Sequence, residues 1–281
     1  MRQLVLPVTE LPPDKRDKAT PFVKWVGGKR ELLHALLRHV PVSFGTYYEP
    51  FVGGGALFFH QAPRRAVLAD SNERLIRGYR GVKTEVERVI ALLRSYPLSK
   101  RFYLELRGID VDARTDAEVA AWLVYLNKTG YNGLYRVNSK NVFNVPFGNH
   151  LKPNFCDEPT LRACAKALAQ ATLRHADFEE VTQKAVKGDF VYFDPPYAPR
   201  SSSSYFTSYT ASGFGPVDQE RLRDVALRLK RRGVYVVLSN SATPLIEQLY
   251  ARDFVLIPVL AKRRVNRDGT GRGAIKEYVI K

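Results

Sequence analysis

The segment Asp194-Pro195-Pro196-Tyr197 follows the short apolar run Phe190-Val191-Tyr192-Phe193. That run reads as a buried strand, and open α/β sheets bind ligands beyond the carboxyl ends of their strands. The two prolines hold the backbone extended and remove two N–H donors. A carboxylate, an unencumbered carbonyl and an aromatic face are thereby presented together. This set suits methylation of an exocyclic amine on a nucleobase. The lone pair of such an amine is delocalised into the ring, so it is a poor nucleophile. The Asp194 carboxylate and the Pro195 carbonyl would accept its two N–H groups, favour a pyramidal nitrogen, and stabilise the positive charge that grows there in the transition state. Tyr197 would stack on the base once it has left the helix. The plainer reading of the same four residues is a proline-stiffened turn capping a strand.

A second constellation lies upstream. Glu49-Pro50-Phe51-Val52-Gly53-Gly54-Gly55 sits between a strand and Ala56-Leu57-Phe58-Phe59, which would open a helix. Glycines at a strand-to-helix turn let a ligand approach the backbone closely. Asp70 ends the next strand, where a carboxylate can accept hydrogen bonds from both hydroxyls of a ribose. The pattern is Gly-x-Gly without the Lys-Ser/Thr of a P-loop, which points to a nucleoside cofactor rather than a nucleoside triphosphate. An ordinary tight turn would give the same cluster.

Those residues must be held by a sheet. Strands are expected at Thr46 to Glu49, Ala66 to Ala69, Phe190 to Phe193, Val234 to Leu238, Phe254 to Val259 and Tyr278 to Ile280. Apolar stripes at helical spacing fall at Leu33/Leu36/Leu37/Val40 (stopped by Pro41), Val86/Val89/Ile90/Leu93, Val119/Trp122/Leu123/Leu126 and Leu222/Val225/Ala226/Leu229. The alternation predicts a parallel sheet with crossover helices. The interval from Ile76 to about Cys156 is mostly helical and then rich in Asn, Gly and aromatics, as an insertion between two halves of an α/β domain would be. Ala198 to Gly215, rich in Ser, Thr, Tyr and Gly, reads as a long loop.

Composition bounds the classes. The 281 residues carry 44 Lys+Arg against 28 Asp+Glu, a formal charge of +16. A domain this basic attracts polyanions, nucleic acid first among them. Two cysteines, Cys156 and Cys164, exclude a disulfide scaffold and lack a partner pair at zinc spacing. Neither follows a proline, which argues against covalent attack on cytosine C5. No apolar run approaches the roughly 18 residues of a membrane span. Met1 to Lys18 lacks the apolar core of a signal peptide, so the expected location is the cytoplasm, on the nucleoid through DNA.

Together these motifs resemble the Dam-type DNA adenine-N6 methyltransferases, which use S-adenosylmethionine and no metal. The likeness runs from about Pro21 to the end of the chain. It is carried in order by Phe22-Val23-Lys24-Trp25-Val26-Gly27-Gly28-Lys29, by Glu49 to Gly55, by Leu126 to Asn149 and by Phe190 to Tyr197. The opening motif and the middle segment are the specific ones. The resemblance implies a doubly wound, Rossmann-like α/β catalytic domain formed by residues 1–75 and 157–281. A mainly helical target-recognition domain, residues 76–156, would be inserted between them. For the cofactor it implies Trp25, Lys29, Phe51, Gly53, Asp70, Phe178 and Asp194. Lys29 would lie near the methionine carboxylate, Asp70 at the ribose and Phe178 against the adenine. Asp194, Pro195, Pro196 and Tyr197 would serve the target base.

The middle segment, Leu126-Asn127-Lys128-Thr129-Gly130-Tyr131-Asn132-Gly133-Leu134-Tyr135-Arg136 continuing to Phe143-Asn144-Val145-Pro146-Phe147-Gly148, is similar to the family's recognition hairpin. The resemblance implies DNA contacts at Lys24, Tyr131, Asn132, Leu134, Arg136 and Pro146. Arg136 would pair with guanine, Tyr131 would fill the space of an extruded adenine, and Leu134 and Pro146 would meet a thymine methyl. The implied target is GATC in double-stranded DNA, with a cognate restriction endonuclease at the same site as a candidate companion. Lys262, Arg263, Arg264, Arg267 and Arg272 would touch phosphates or belong to a solvated loop. The alternatives are an amino-methyltransferase acting on cytosine N4 or on an RNA base, and a DNA-binding protein without activity.

Overall fold

The computed structural model describes residues 19–25, 27, 32–198, 213–262 and 274–281. In chain order the elements are α1 (Leu33–Leu37), β1 (Tyr47–Glu49), α2 (Ala56–Gln61), β2 (Ala66–Asp70), α3 (Glu73–Thr84), α4 (Val86–Ser95), α5 (Lys100–Arg107) and α6 (Asp116–Thr129). A 3-10 turn at Tyr131–Gly133 follows, then α7 (Glu158–Leu168), β3 (Ala171–His175), α8 (Phe178–Thr182) and β4 (Phe190–Phe193). The chain ends with α9 (Pro216–Arg231), β5 (Tyr235–Ser241), α10 (Pro244–Tyr250), β6 (Leu256–Lys262) and β7 (Ala274–Ile280).

Among the described residues the strands form one seven-stranded sheet in the order β3-β2-β1-β4-β5-β7-β6. The pairs β1–β2, β2–β3, β1–β4 and β4–β5 are parallel, and β7 runs antiparallel to both its neighbours. The parallel sheet expected from the sequence holds for β1 to β5 and is corrected at β7. This strand follows β6 as an antiparallel neighbour and inserts between β6 and β5, so no crossover helix is needed there.

The central strands are buried nearly throughout while their side chains point alternately to either side, so both faces carry a core. Phe190 and Tyr192 of β4 join Tyr47, Leu68 and Leu36 on one side. Val191 and Phe193 join Tyr48, Leu222, Val225 and Ile246 on the other. Helices on both faces of a mainly parallel sheet make a mixed, doubly wound α/β architecture. The first core is continuous with Trp122, Tyr125 and Leu126 of α6, and α3 carries the chain across residue 76 without a break. Thr115 and Glu118 close a reciprocal capping box at the start of α6.

α1 stops at Leu37, a turn earlier than its stripe suggests, because the His39 amide already bonds back to the Leu36 carbonyl at 2.9 Å. β3 was not foreseen. Its sequence Ala-Thr-Leu-Arg-His is half-exposed at the sheet edge and carries no continuous apolar run. No helix among the described residues is long and apolar enough to cross a membrane.

Candidate active site

β1 and β4 are hydrogen-bonded neighbours, with Tyr47 opposite Phe190, although 140 residues of chain lie between them. Strand order reverses at this point, and in open α/β sheets such a switch opens a crevice at the carboxyl edge. The glycine turn leaves the end of β1 and Asp194 leaves the end of β4, so the two motifs read from the sequence share one edge.

The glycine turn is fixed from three sides. The Gly53 amide donates to Asp70 Oδ2 at 3.1 Å, and the Asn72 amide donates to Oδ1 at 2.9 Å. The Tyr79 hydroxyl donates to the Gly53 carbonyl at 3.0 Å. Gly53 has φ +46°, and a Cβ there would stand 2.7 Å from Trp25 Cδ1. The absence of a side chain thus lets Trp25 lie on the turn. Burial raises the Asp70 carboxyl above the ordinary aspartate value, against the opposing pull of the Asn72 and Gly53 amides.

Beside the turn stands an aromatic group. Phe51 stacks on Phe178 with centroids 5.4 Å apart and meets Phe193 and Phe214 edge-on at 6.3 and 5.6 Å. Phe178 is 3 % exposed, and Asp177 caps its helix. The guanidinium of Arg221 lies 4.2 Å over the Phe178 ring while holding Asp177 at 2.8 and 2.9 Å.

Asp194 and the residues after it are held by the end of β5. Ser239 Oγ donates to Asp194 Oδ1 at 2.8 Å and is itself 2.9 Å from the Tyr192 hydroxyl. Gln219 Nε2 donates to the Pro196 carbonyl at 2.9 Å, and Asn240 Nδ2 donates to Gln219 Oε1 at 3.0 Å. The Ala198 amide donates to Asn240 Oδ1 at 3.1 Å, and Ser241 Oγ donates to the Ala198 carbonyl at 2.6 Å. The Tyr197 hydroxyl donates to Glu277 Oε2 at 2.9 Å. Burial, reinforced by nearby Asp194, pushes the Tyr192 and Tyr197 phenols well up, so both remain hydroxyl donors at neutral pH.

Residues 130–148 form a loop closed by isolated antiparallel bridges, Gly130 with Phe147 and Val137 with Phe143, rather than a continuous two-stranded hairpin. The Tyr131 amide donates to the Pro146 carbonyl at 2.9 Å, which sets these two residues side by side. Tyr131, Asn132, Arg136, Pro146 and Lys24 are exposed, and Leu134 is half-buried. Arg136 Nε donates to Asn144 Oδ1 at 2.7 Å and Nη2 to the Asn144 carbonyl at 3.2 Å. Trp25 stacks on Tyr135 at 5.2 Å and 27°, joining this loop to the glycine turn.

The structure therefore brings Trp25, Phe51, Gly53, Asp70 and Phe178 around one turn and places Asp194 to Tyr197 at the adjoining strand end. Lys29, Arg263, Arg264, Arg267, Arg272 and the side chain of Lys262 lie outside the described residues, as does most of the Ala198–Gly215 segment. Ser239, Asn240, Ser241, Gln219, Phe214 and Tyr135 were missed by sequence reasoning. Three consecutive polar residues closing an apolar strand were the available sign for the first three, and all three are buried. The even helical stripe around Gln219 gave no sign.

Residues 25–265 match the family model described as D12 class N6 adenine-specific DNA methyltransferase. The chain is 44% identical over 268 residues to the Type II methyltransferase M1.LlaDCHI of Lactococcus lactis subsp. cremoris, covering 92% of this chain and 94% of that one. It is 38% identical over 268 residues to a DNA adenine methylase of Vibrio cholerae, covering 93% and 95% of the two chains. With the DNA adenine methylase of Escherichia coli K12 it shares 33% identity over 269 residues, 94% of this chain and 95% of that one. The match runs through the glycine turn, the middle loop and the Asp194 motif alike, and the chain belongs to the family of D12 class N6 adenine-specific DNA methyltransferases.

Proposed function

We propose that this adenine-specific DNA methyltransferase takes its methyl group from S-adenosylmethionine, as enzymes of the family generally do, and delivers it to an adenine extruded from duplex GATC. The observation that carries the reading is the meeting of the Asp70-braced glycine turn with Ser239-held Asp194 at one edge of the sheet.

The residues fit this cofactor. Phe51, Phe178 and Phe214 offer an apolar, aromatic wall suited to a purine, and the bare Gly53 backbone admits close approach. Asp70 would hold the ribose, Trp25 would cover the turn, and Lys29 would neutralise the methionine carboxylate. When bound, S-adenosylmethionine supplies an electrophilic methyl group on a sulfonium. Asp194 and the Pro195 carbonyl would accept from the target amine and favour positive charge on its nitrogen. Pro196, anchored by Gln219, keeps that backbone extended. Tyr197, oriented by Glu277, would cover the flipped base.

The exposed side chains of Lys24, Tyr131, Asn132, Arg136 and Pro146 lie on two segments bonded to one another, which supports a DNA-reading surface with Leu134 at its margin. Residues 76–156 would supply target recognition, and residues 1–75 and 157–281 catalysis. The +16 charge supports binding to a double helix. The Type II name of the Lactococcus relative supports a cognate restriction endonuclease acting at the same site.

Sequencing plasmid DNA methylated by the purified protein tests the reading. N6-methyladenine confined to GATC is expected. Methyl groups at other sequences would overturn the target assignment, and N4-methylcytosine, or RNA methylated while duplex DNA is not, would overturn the choice of substrate.

A further inference from the structure

The Asn127 side chain, 1 % exposed at the end of α6, ties together two segments far apart in sequence. Its Oδ1 accepts from the Lys24 amide at 2.7 Å. Its Nδ2 donates to the Lys24 carbonyl and to the Gly133 carbonyl, each at 2.8 Å. Two carbonyls and one amide facing the group leave a single orientation, and both amide protons are used. Gly133 has φ +64°, and a Cβ there would overlap the Lys24 stem, so the turn and Lys24 lie in direct contact. Next along the chain, Trp25 stacks on Tyr135 while lying on Gly53. The Lys24-Trp25 segment is thus joined twice to the Gly133–Tyr135 segment, once through Asn127 and once through the rings.

We infer that Asn127 is a positioning residue for base recognition, holding the Tyr131–Arg136 loop in register with the Lys24-Trp25 segment and through it with the glycine turn. It touches no reacting atom. The inference rests on the reading of residues 131–146 as the DNA-reading loop. An aspartate at 127 would keep one oxygen on the Lys24 amide but set the other against the Lys24 and Gly133 carbonyls, and the loop would lose its register while the Asp70-braced turn kept its own bonds.

The test compares the full-length wild-type enzyme with the variants Asn127→Asp, Gly133→Ala and Arg136→Ala. Each is given the duplex that the wild type methylates and duplexes with one base changed. S-adenosylmethionine affinity is measured by calorimetry on the same samples. For Asn127→Asp and Gly133→Ala, the cognate-to-changed ratio of kcat/KM should fall by about tenfold or more, the share of one or two base contacts. That loss should enter through KM for DNA, with cofactor affinity within about twofold of wild type, a split that general loss of structure would not give. Should Asn127→Asp fail to fold, Gly133→Ala decides alone. An unchanged ratio, or a ratio that falls only in step with cofactor affinity, overturns the inference where Arg136→Ala does relax the ratio. Where Arg136→Ala also leaves it unchanged, the reading of the loop itself is overturned and the inference goes with it.

Discussion

Ser239 Oγ donates to Asp194 Oδ1 at 2.8 Å, and the Tyr192 hydroxyl stands behind it at 2.9 Å. The serine side chain is fully buried, so this bond is shielded from water and fixes the carboxylate's rotation. We predict that Ser239→Ala lowers kcat by roughly 10–100-fold, the scale of a misplaced reacting group. KM for DNA and for the cofactor should stay close to wild type, and Ser239→Thr should restore most of the rate. Steady-state kinetics on the three proteins checks this, and a kcat unmoved by Ser239→Ala would contradict the positioning of Asp194.

Gly53 has φ +46° and faces Trp25. For Gly53→Ala we predict a loss of stability of about 1 kcal/mol from the left-handed backbone and a larger loss of cofactor affinity, as Trp25 is pushed off the turn. Thermal melting and calorimetry separate the two effects. Wild-type affinity in the variant would show that the turn does not meet the cofactor.

Asp70 gives a pH test. Its carboxyl lies above the ordinary value because of burial, so the folded protein binds that proton more tightly than the unfolded chain. The group's favourable contribution to stability is present at low pH and is lost as pH rises through the raised value. Cofactor affinity has the opposite sign, because ribose hydroxyls need the ionised carboxylate. Affinity should therefore fall on acidification at a pH above that of an ordinary aspartate. Calorimetry over the mildly acidic range should show the step in the wild type and not in Asp70→Asn, which should bind more weakly at neutral pH. A step retained in Asp70→Asn would assign it to another group.

Asn144 grips one side of the Arg136 guanidinium through Nε and Nη2, and Nη1 takes no part in that grip. Such a held fork suits bidentate recognition of guanine. Arg136→Ala is predicted to relax discrimination at one guanine by about 1–3 kcal/mol. Arg136→Lys should not rescue it, and Asn144→Ala should give a smaller loss of the same kind. Equal weakening on every sequence would make Arg136 a phosphate contact instead.

The elements legible in the sequence were those whose burial is continuous or periodic. Phe190–Phe193 was read to the residue, since all four side chains are buried, and the stripe Val119/Trp122/Leu123/Leu126 marked α6. β3 escaped because an edge strand buries little, and the reversal of β7 escaped because apolar pattern does not encode strand direction. The same limit holds at the site. Asp194 and the glycine turn are visible as motifs whose chemistry can be argued from residue type and place, and the resemblance carried the remaining assignments such as Trp25, Phe178 and Arg136. Gln219 and Asn127 act through bonds to groups remote in sequence, which no local spacing reports, and Ser239, bonded to Asp194, was marked only by the polar run that closes β5.

The central claim, that Asp194 engages the target amine, is tested most directly by Asp194→Ala in single-turnover methylation of a duplex carrying the site, with DNA binding measured on the same complex. The account predicts near-normal binding and no N6-methyladenine in the nucleoside digest, where the wild-type enzyme yields it. N6-methyladenine formed by Asp194→Ala at the wild-type rate would contradict it.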